Sequence, residues 1–156
     1  GLTVEEGNMN LPQIFLPSPE GVRVEVLEDK AMTVPIRHHH VHWNVAQAVV
    51  PDIQAWYVQT FGAIKGMRGN FQAADIPGAN LTFTAAGPAA ESAPTRGRAF
   101  DHVGFEVASL EAFCKKLEAS GVKFDQSYKK NGDLANAYLT DPWGTRIELT
   151  EGLSKR

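Results

Sequence analysis

The stretch Asp141-Pro-Trp-Gly-Thr-Arg-Ile-Glu-Leu149 occurs in two versions in this chain, and that repetition decides the fold. The earlier version, Pro19-Glu-Gly-Val-Arg-Val-Glu-Val26, keeps the turn, the arginine and a glutamate that aligns with Glu148. A second similarity relates His40-Val-His-Trp-Asn-Val45 to His102-Val-Gly-Phe-Glu-Val107. Internal similarity of this kind is typical of repeated structural units. The sequence therefore predicts one unit of about fifty residues, present twice in full and once as a C-terminal half.

Each complete unit has the pattern of a strand, a helix and three further strands. Alternating apolar residues predict the first strand at Arg37–Val45, and an apolar stripe predicts a helix from Pro51 to a glycine cap at Gly62. The second unit repeats this order, with Cys114 on the apolar stripe of its helix and therefore predicted to be buried. The predicted divisions are a half unit at 1–28 with about three strands, a connector at 29–36, a βαβββ module at 37–84, a linker at 85–98 and a βαβββ module at 99–152.

Composition favours a small-molecule partner. The 156 residues are 43% apolar and 21% charged with a net charge of −3, which is typical of a globular protein and gives no basic surface for nucleic acid or an anionic membrane. No long apolar run and no targeting segment is evident, so a soluble protein with the cytoplasm as its default location is expected. The single cysteine excludes a disulfide within the chain.

Strand alternation places three metal-ligating side chains on the faces that the helices do not cover. His40 and His102 occupy equivalent positions in the first strands of the two modules, and Glu148 lies in the last strand. We expect these faces to line one shared concavity. Two imidazoles and one carboxylate make a metal triad that leaves positions open for water and substrate. His40, His102 and Glu148 are therefore the predicted metal ligands.

Four further residues on these faces are candidates for catalysis or substrate binding. His42 is two residues from His40 and is a candidate general base, a fifth ligand or part of the cavity wall. Glu106 is a candidate proton carrier if apolar surroundings raise its pKa, or else a hydrogen-bonded strand carboxylate. Arg146 is a candidate contact for an anionic substrate group, although its recurrence in the half unit also favours a structural role. Tyr138 is a candidate donor to a bound oxygen, or a packing residue.

The paired βαβββ units, the His-Val-x-aromatic-x-Val strands and the Asp-Pro-x-Gly-x-Arg-Ile-Glu-Leu ending resemble the vicinal oxygen chelate superfamily. That family includes glyoxalases, extradiol dioxygenases, fosfomycin-resistance thiol transferases, methylmalonyl-CoA epimerases and bleomycin-resistance proteins. The resemblance implies an α+β fold in which the two modules form a cupped eight-stranded mixed sheet, commonly in a homodimer. It implies one divalent ion, whether Zn, Ni, Fe, Mn or Co, with ligand positions at His40, Thr82, His102 and Glu148. Thr82 departs from the glyoxalase pattern, in which a carboxylate is expected there.

Several functions of that family are compatible with these residues. Glyoxalase-type isomerase or lyase chemistry on vicinal oxygens is the first expectation. The segment Ala137–Glu148 is similar to the pattern of Fe(II) extradiol dioxygenases, but no histidine follows His102 to act as their acid or base. A thiol transferase like those of fosfomycin resistance is a third reading, and a non-catalytic ligand-binding protein like those of bleomycin resistance is a fourth.

Overall fold

The structure is a computed structural model that describes residues 3–7, 12–86 and 93–155. The chain divides into two compact bodies. The N-terminal body comprises the described residues within 1–37 and 97–101, and the two-module body comprises those within 38–96 and 102–156. Part of the predicted linker at 85–98 lies outside the described residues.

The N-terminal body contains an antiparallel sheet of three strands in the order β1-β2-β3. These strands are β1 (Glu5–Glu6), β2 (Gln13–Pro17) and β3 (Arg23–Leu27). The Arg23 guanidinium lies 3.6 Å from the centroid of the Phe15 ring and pairs with the Glu5 carboxylate at 3.0 Å. The three strands predicted for this part of the chain are therefore confirmed, while their origin as half of a further module stays a prediction.

The first module of the two-module body, module A, has the predicted βαβββ order. Its elements are β4 (His40–Val45), α1 (Val50–Phe61), β5 (Ile64–Arg68), β6 (Phe71–Ile76) and β7 (Ala79–Ala85). The strands lie in the order β4-β7-β6-β5, with β4 parallel to β7 and the other pairs antiparallel. Helix α1 ends at Gly62, whose positive φ of 70° lets its N–H bond the carbonyl of Val58.

The second module, module B, repeats this arrangement. Its elements are β8 (His102–Glu106), α2 (Leu110–Ala119), β9 (Phe124–Asn131), β10 (Leu134–Thr140) and β11 (Arg146–Glu151). The strand order is β8-β11-β10-β9, with β8 parallel to β11. Cys114 on α2 is 2% exposed, and burial raises the pKa of its thiol, so it is a core residue as predicted.

The predicted fold is confirmed, with one refinement of the sheet. In the described residues the eight module strands form two hydrogen-bonded sheets of four rather than one continuous ladder of eight. Within the part of the chain that the structure describes, each first strand pairs with the last strand of its own module and with no other, β4 with β7 and β8 with β11. No helix in the described part of the chain is long and apolar enough to cross a membrane.

The apolar sides of the two modules share one core, and aromatic residues of module A form the contacts between them. Trp43 donates from its indole Nε1 to Thr145 Oγ1 at 2.9 Å. The Phe61 ring at the end of α1 lies 5.5 Å from the Phe105 ring of β8. Each such aromatic pair contributes about 0.5–1.5 kcal/mol beyond the area it buries. The polar faces of the sheets, opposite this core, carry the candidate site residues.

Candidate metal centre

The two modules place chemically different residues at equivalent points of their polar faces. In module A the parallel ladder sets His42 opposite Thr82, and in module B it sets Gly104 opposite Glu148. Thr82 is therefore the structural counterpart of Glu148. Module A offers histidines at this point, whereas module B offers a carboxylate beside a glycine.

On module B, the structure brings His102 and Glu148 together. The His102 Nε2 and Glu148 Oε2 atoms are 3.3 Å apart, with the side chains 37% and 19% exposed. Two neighbouring ligand atoms of an ion with bonds of about 2.1 Å lie about 3 Å apart, so this spacing fits a shared ion. A Cβ at position 104 would lie 3.9 Å from Glu148 Oε2, so the glycine keeps the front of the carboxylate open. Imidazole and carboxylate donors also suit a divalent transition metal.

Tyr138 and Arg146 lie beside this pair. The Tyr138 hydroxyl donates a short hydrogen bond to Glu148 Oε1, and this bond raises the pKa of the phenol. The Arg146 guanidinium lies over the Tyr138 ring, 4.3 Å from its centroid. The N-terminal body has the same arrangement, since Arg23 lies over Phe15. This recurrence favours the stacking role of Arg146, while its contact with substrate stays a prediction.

On module A, His40 and His42 lie side by side. Ring nitrogens of the two histidines lie within 4.8 Å of each other, so both can reach one ion. Arg68 Nη2 donates to His40 Nε2 at 3.1 Å, and the other ring nitrogen, Nδ1, lies 2.9 Å from His39 Nδ1. Burial, followed by the charge of Arg68, lowers the pKa of His40 to about 4. His40 is therefore neutral at physiological pH, which is the form that binds metals.

The hydrogen bonds of His42 fix its tautomer. Its Nε2 lies 2.8 Å from Thr84 Oγ1, and that hydroxyl donates to Asn44 Oδ1 at 2.8 Å. Because a hydroxyl has a single proton, a Thr84 hydroxyl that donates to Asn44 favours the tautomer of His42 with its hydrogen on Nε2. The lone pair of the neutral ring is then on Nδ1. Such an imidazole can accept a proton at Nδ1 or ligate a metal there.

The predicted triad is present in two parts. Among the described residues, no ligand atom of His40 lies within 4.8 Å of both His102 and Glu148. His40 instead groups with His42 on module A, while His102 and Glu148 group on module B. Joint ligation by the three residues therefore stays a prediction.

Apolar surroundings do not raise the pKa of Glu106, so the condition set for its reading as a proton carrier is not met. Its carboxylate is exposed and accepts hydrogen bonds from the backbone N–H groups of Gly152 and Ser154 at 3.0 and 2.9 Å, and from the Ser154 hydroxyl. The bonds from Ser154, foremost its backbone N–H, lower the pKa of Glu106. Glu106 thus holds the C-terminal turn, the second of the two readings that the sequence left open.

Arg68 is a site residue that the sequence analysis missed. It reaches from the end of β5 to donate from Nε to Thr82 Oγ1 at 2.8 Å and from Nη2 to His40. Ala73 lies opposite Thr82 on the intervening strand β6 and is too small to block this path. In sequence Arg68 precedes a Gly-Asn turn and has the appearance of a surface residue. Residues two apart in a strand share a face, so Arg68 lies on the same face as Gly66. This alternation was the signal in the sequence that could have assigned Arg68 to the polar face.

A cavity of about 350 Å³ opens beside Glu148 on module B. Its polar lining residues include the amides of Gln126 and Asn136 and the ammonium group of Lys129, and Gln126 Nε2 donates to Asn136 Oδ1 at 3.0 Å. Leu134 and Leu153 add apolar surface. This volume suits a small polar molecule.

The comparisons with known proteins agree with this architecture. The family model described as the Glyoxalase/Bleomycin resistance protein/Dioxygenase superfamily matches residues 37–149. No curated protein matches the chain.

Many solved structures share the fold. A glyoxalase family protein from Bacillus anthracis has a TM-score of 0.59 at 18% identity, over 80% of this chain and 99% of its own. A glyoxalase/bleomycin resistance protein/dioxygenase from Nocardioides has a TM-score of 0.58 at 18% identity, over 81% and 89%. Lactoylglutathione lyase from Agrobacterium tumefaciens has a TM-score of 0.56 at 14% identity, over 78% and 96%. At these identities the likeness is one of fold alone.

Proposed function

Because this chain belongs to the glyoxalase/bleomycin resistance protein/dioxygenase superfamily, we propose that it is a metal-dependent enzyme acting on a small substrate with two adjacent oxygens. The observation that carries the proposal is the 3.3 Å spacing of His102 Nε2 and Glu148 Oε2, which fits two ligands of one ion. Isomerase or lyase chemistry of the glyoxalase type is our first choice. One divalent ion, Zn, Ni, Fe, Mn or Co, would be held by His40, His102 and Glu148.

When bound, this ion would act as a Lewis acid that stabilises negative charge on a substrate oxygen. The chain's own residues would then move the proton. His42 would donate its Nε2 hydrogen to Thr84 and use Nδ1 as the base. Nδ1 would take a proton from one substrate carbon and return it to the neighbouring carbon. Tyr138 would hold Glu148 in place through Oε1, leaving Oε2 toward His102.

We propose that the active form is a homodimer. His40 and the His102–Glu148 pair lie on different sheets. In a dimer, His40 of one copy would complete the site formed by His102 and Glu148 of the other copy. Large apolar side chains on one face of the β5–β6 hairpin support an interface there, since Ile64 and Phe71 are 72% and 43% exposed. Phe71 lies on the same face as the histidines, with its ring centroid 5.8 Å from that of His42.

Elemental mass spectrometry on anaerobically purified protein tests the proposal, with His40→Ala and Glu148→Ala as separate variants. We expect about one ion per chain in the parent and none in either variant. A parent that is empty, and that fails to take up added Zn, Ni, Mn or Fe(II), would sink the metalloenzyme and leave a ligand-binding protein as the better reading.

Mixing the two variants tests the dimer. If each site combines module A of one copy with module B of the other, a refolded one-to-one mixture regains about a quarter of the parental metal, because half of the dimers have one intact site of two. A mixture as empty as its components would place all ligands in a single copy.

His42→Ala separates proton transfer from metal binding. We expect normal metal content and a loss of turnover on the order of a hundredfold. Thr84→Val, which removes only the partner of Nε2, should give a smaller loss of turnover. Unchanged turnover in His42→Ala would remove His42 as the base.

An Fe(II) extradiol dioxygenase is the second candidate, and the Tyr138 hydroxyl is the observation that favours it. That reaction needs an acid or base near the metal, and Tyr138 touches the predicted ligand Glu148 directly. Iron as the bound metal, with oxygen consumption on a catechol that is lost in Tyr138→Phe, would favour this reading over the isomerase. Zinc or nickel would favour the isomerase or lyase.

A further inference from the structure

Arg68 is a positive charge without a carboxylate partner on the polar face of module A. Its guanidinium contacts two neutral acceptors, Thr82 Oγ1 at 2.8 Å and His40 Nε2 at 3.1 Å. In the described part of the chain, no Asp or Glu oxygen lies within ion-pair distance of it. A half-buried guanidinium presents a planar fork of N–H donors that matches a carboxylate.

Comparison with module B identifies the position on this face of module A where a carboxylate is missing. Thr82 pairs with His42 as Glu148 pairs with Gly104, so Thr82 occupies the position that a glutamate occupies in the second module. Arg68 donates to that threonine. The arginine therefore points at a position where module A lacks the acid that module B has.

A chain of hydrogen bonds holds the arginine in this orientation. Arg68 donates to Thr82, the Thr82 hydroxyl donates to Asn80 Oδ1 at 2.7 Å, and Asn80 Nδ2 donates to Asp75 Oδ1. Each of these side chains is hydrogen-bonded to the next, so the guanidinium is oriented before any ligand binds. Such preorganisation lowers the cost of binding an anion.

Arg68 and a metal ion would compete for one lone pair, that of His40 Nε2. If an ion takes that nitrogen, the Nη2 donor needs a new acceptor, and a guanidinium close to a divalent cation requires negative charge between them. We propose that Arg68 binds the carboxylate of the substrate, which is accordingly a 2-hydroxy- or 2-oxocarboxylate that presents its second oxygen to the metal. This inference rests on the proposed metal-dependent function and specifies its substrate class.

A matched pair of ligands tests it, namely glycolate, a 2-hydroxycarboxylate, and glycolamide, its neutral amide. Calorimetry on metal-loaded protein should show that Arg68→Met weakens glycolate binding by about tenfold to a hundredfold and glycolamide binding by much less, because only the anion offers the guanidinium a charge and two oxygens. Arg68→Lys, which keeps the charge and loses the fork, should fall between the parent and Arg68→Met. Lys65→Met on the same strand, a residue on the opposite face, is the control and should bind both ligands as the parent does.

Equal weakening of glycolate and glycolamide binding in Arg68→Met, or no weakening of either, would overturn the inference. If the methionine variant does not fold, the same comparison of the two ligands is made with Arg68→Lys. Failure of the proposed function is seen separately as a parent without metal. Glycolate binding by that metal-free parent would then test the carboxylate site by itself. Binding that is lost in Arg68→Met would support the site, and a parent that does not bind glycolate would exclude it.

Discussion

The Tyr57 hydroxyl donates to Asp141 Oδ2 at 3.0 Å and so links helix α1 of module A to the β10–β11 turn of module B. The same carboxylate accepts the backbone N–H groups of Trp143 and Thr145 on Oδ1, at 2.9 and 2.8 Å. Asp141 thus closes its own turn and holds the neighbouring module with its second oxygen. Both residues are buried, so the contact is shielded from water.

Removing the hydroxyl should weaken the contact between the modules. We expect Tyr57→Phe to lower the free energy of unfolding by about 1–3 kcal/mol, because it leaves a buried carboxylate oxygen short of a donor. Urea unfolding measures this. Tyr128→Phe is the control, since the described residues give its hydroxyl no hydrogen bond, and a loss of equal size there would argue against a special role for the link.

The buried Asp141 should also give stability a pH dependence. Burial raises its pKa in the folded state above the value of about 3.9 of the unfolded chain. The folded state then binds more protons than the unfolded state between these two pKa values, so this group's contribution to stability falls as the pH rises through that window. Asp141→Asn removes the titration. We expect parent stability to decline relative to the variant as the pH rises above about 4, and a pH-independent difference would contradict the assignment.

Gly104 should control access to Glu148. A single methyl group fits, because a Cβ there would lie 3.9 Å from Glu148 Oε2. Valine suits a strand but adds two branches in front of the carboxylate. We expect Gly104→Ala to keep the parental metal content and Gly104→Val to lose most of it, as measured by elemental mass spectrometry. Full metal content in a folded Gly104→Val would place the ion away from Glu148.

Glu106 should act on the C-terminal turn. In Glu106→Ala the amides of Gly152 and Ser154 lose their acceptor and should exchange with solvent on the order of tenfold faster. Hydrogen exchange followed by NMR checks this. Unchanged exchange together with a large loss of turnover would restore Glu106 as a proton carrier.

Local patterns were sufficient to predict the architecture. Strand alternation from His40 to Val45 and the glycine cap at Gly62 depend on neighbours in sequence, and the repeat around Glu148 depends on comparing two segments of the chain; the elements that they predicted are present. The same alternation also assigned His102 and Glu148 to one face, where they meet at 3.3 Å.

The partners of the polar side chains could not be predicted in this way, because they come from elsewhere in the chain. Ser154, which donates to Glu106, lies beyond the last strand. The alternation of the strand that contains Glu106 therefore could not predict this hydrogen-bond donor. Arg68 reaches across β6 to Thr82, and only the sheet register brings them together. Whether His40 binds the same ion as His102 and Glu148 depends on how the two sheets pack against each other. The sequence repeat gives no information about that packing.

The register that pairs His42 with Thr82 and Gly104 with Glu148 means that the two modules place different side chains at equivalent points of one repeated architecture. Exchange at this one pair of positions, a histidine for a glycine and a threonine for a glutamate, accounts for much of their chemical difference. His42→Gly with Thr82→Glu would therefore give module A the glycine and the carboxylate that module B has at these two positions. Both modules of such a chain would carry a carboxylate beside a glycine, and the one in module A would have an arginine, Arg68, next to it.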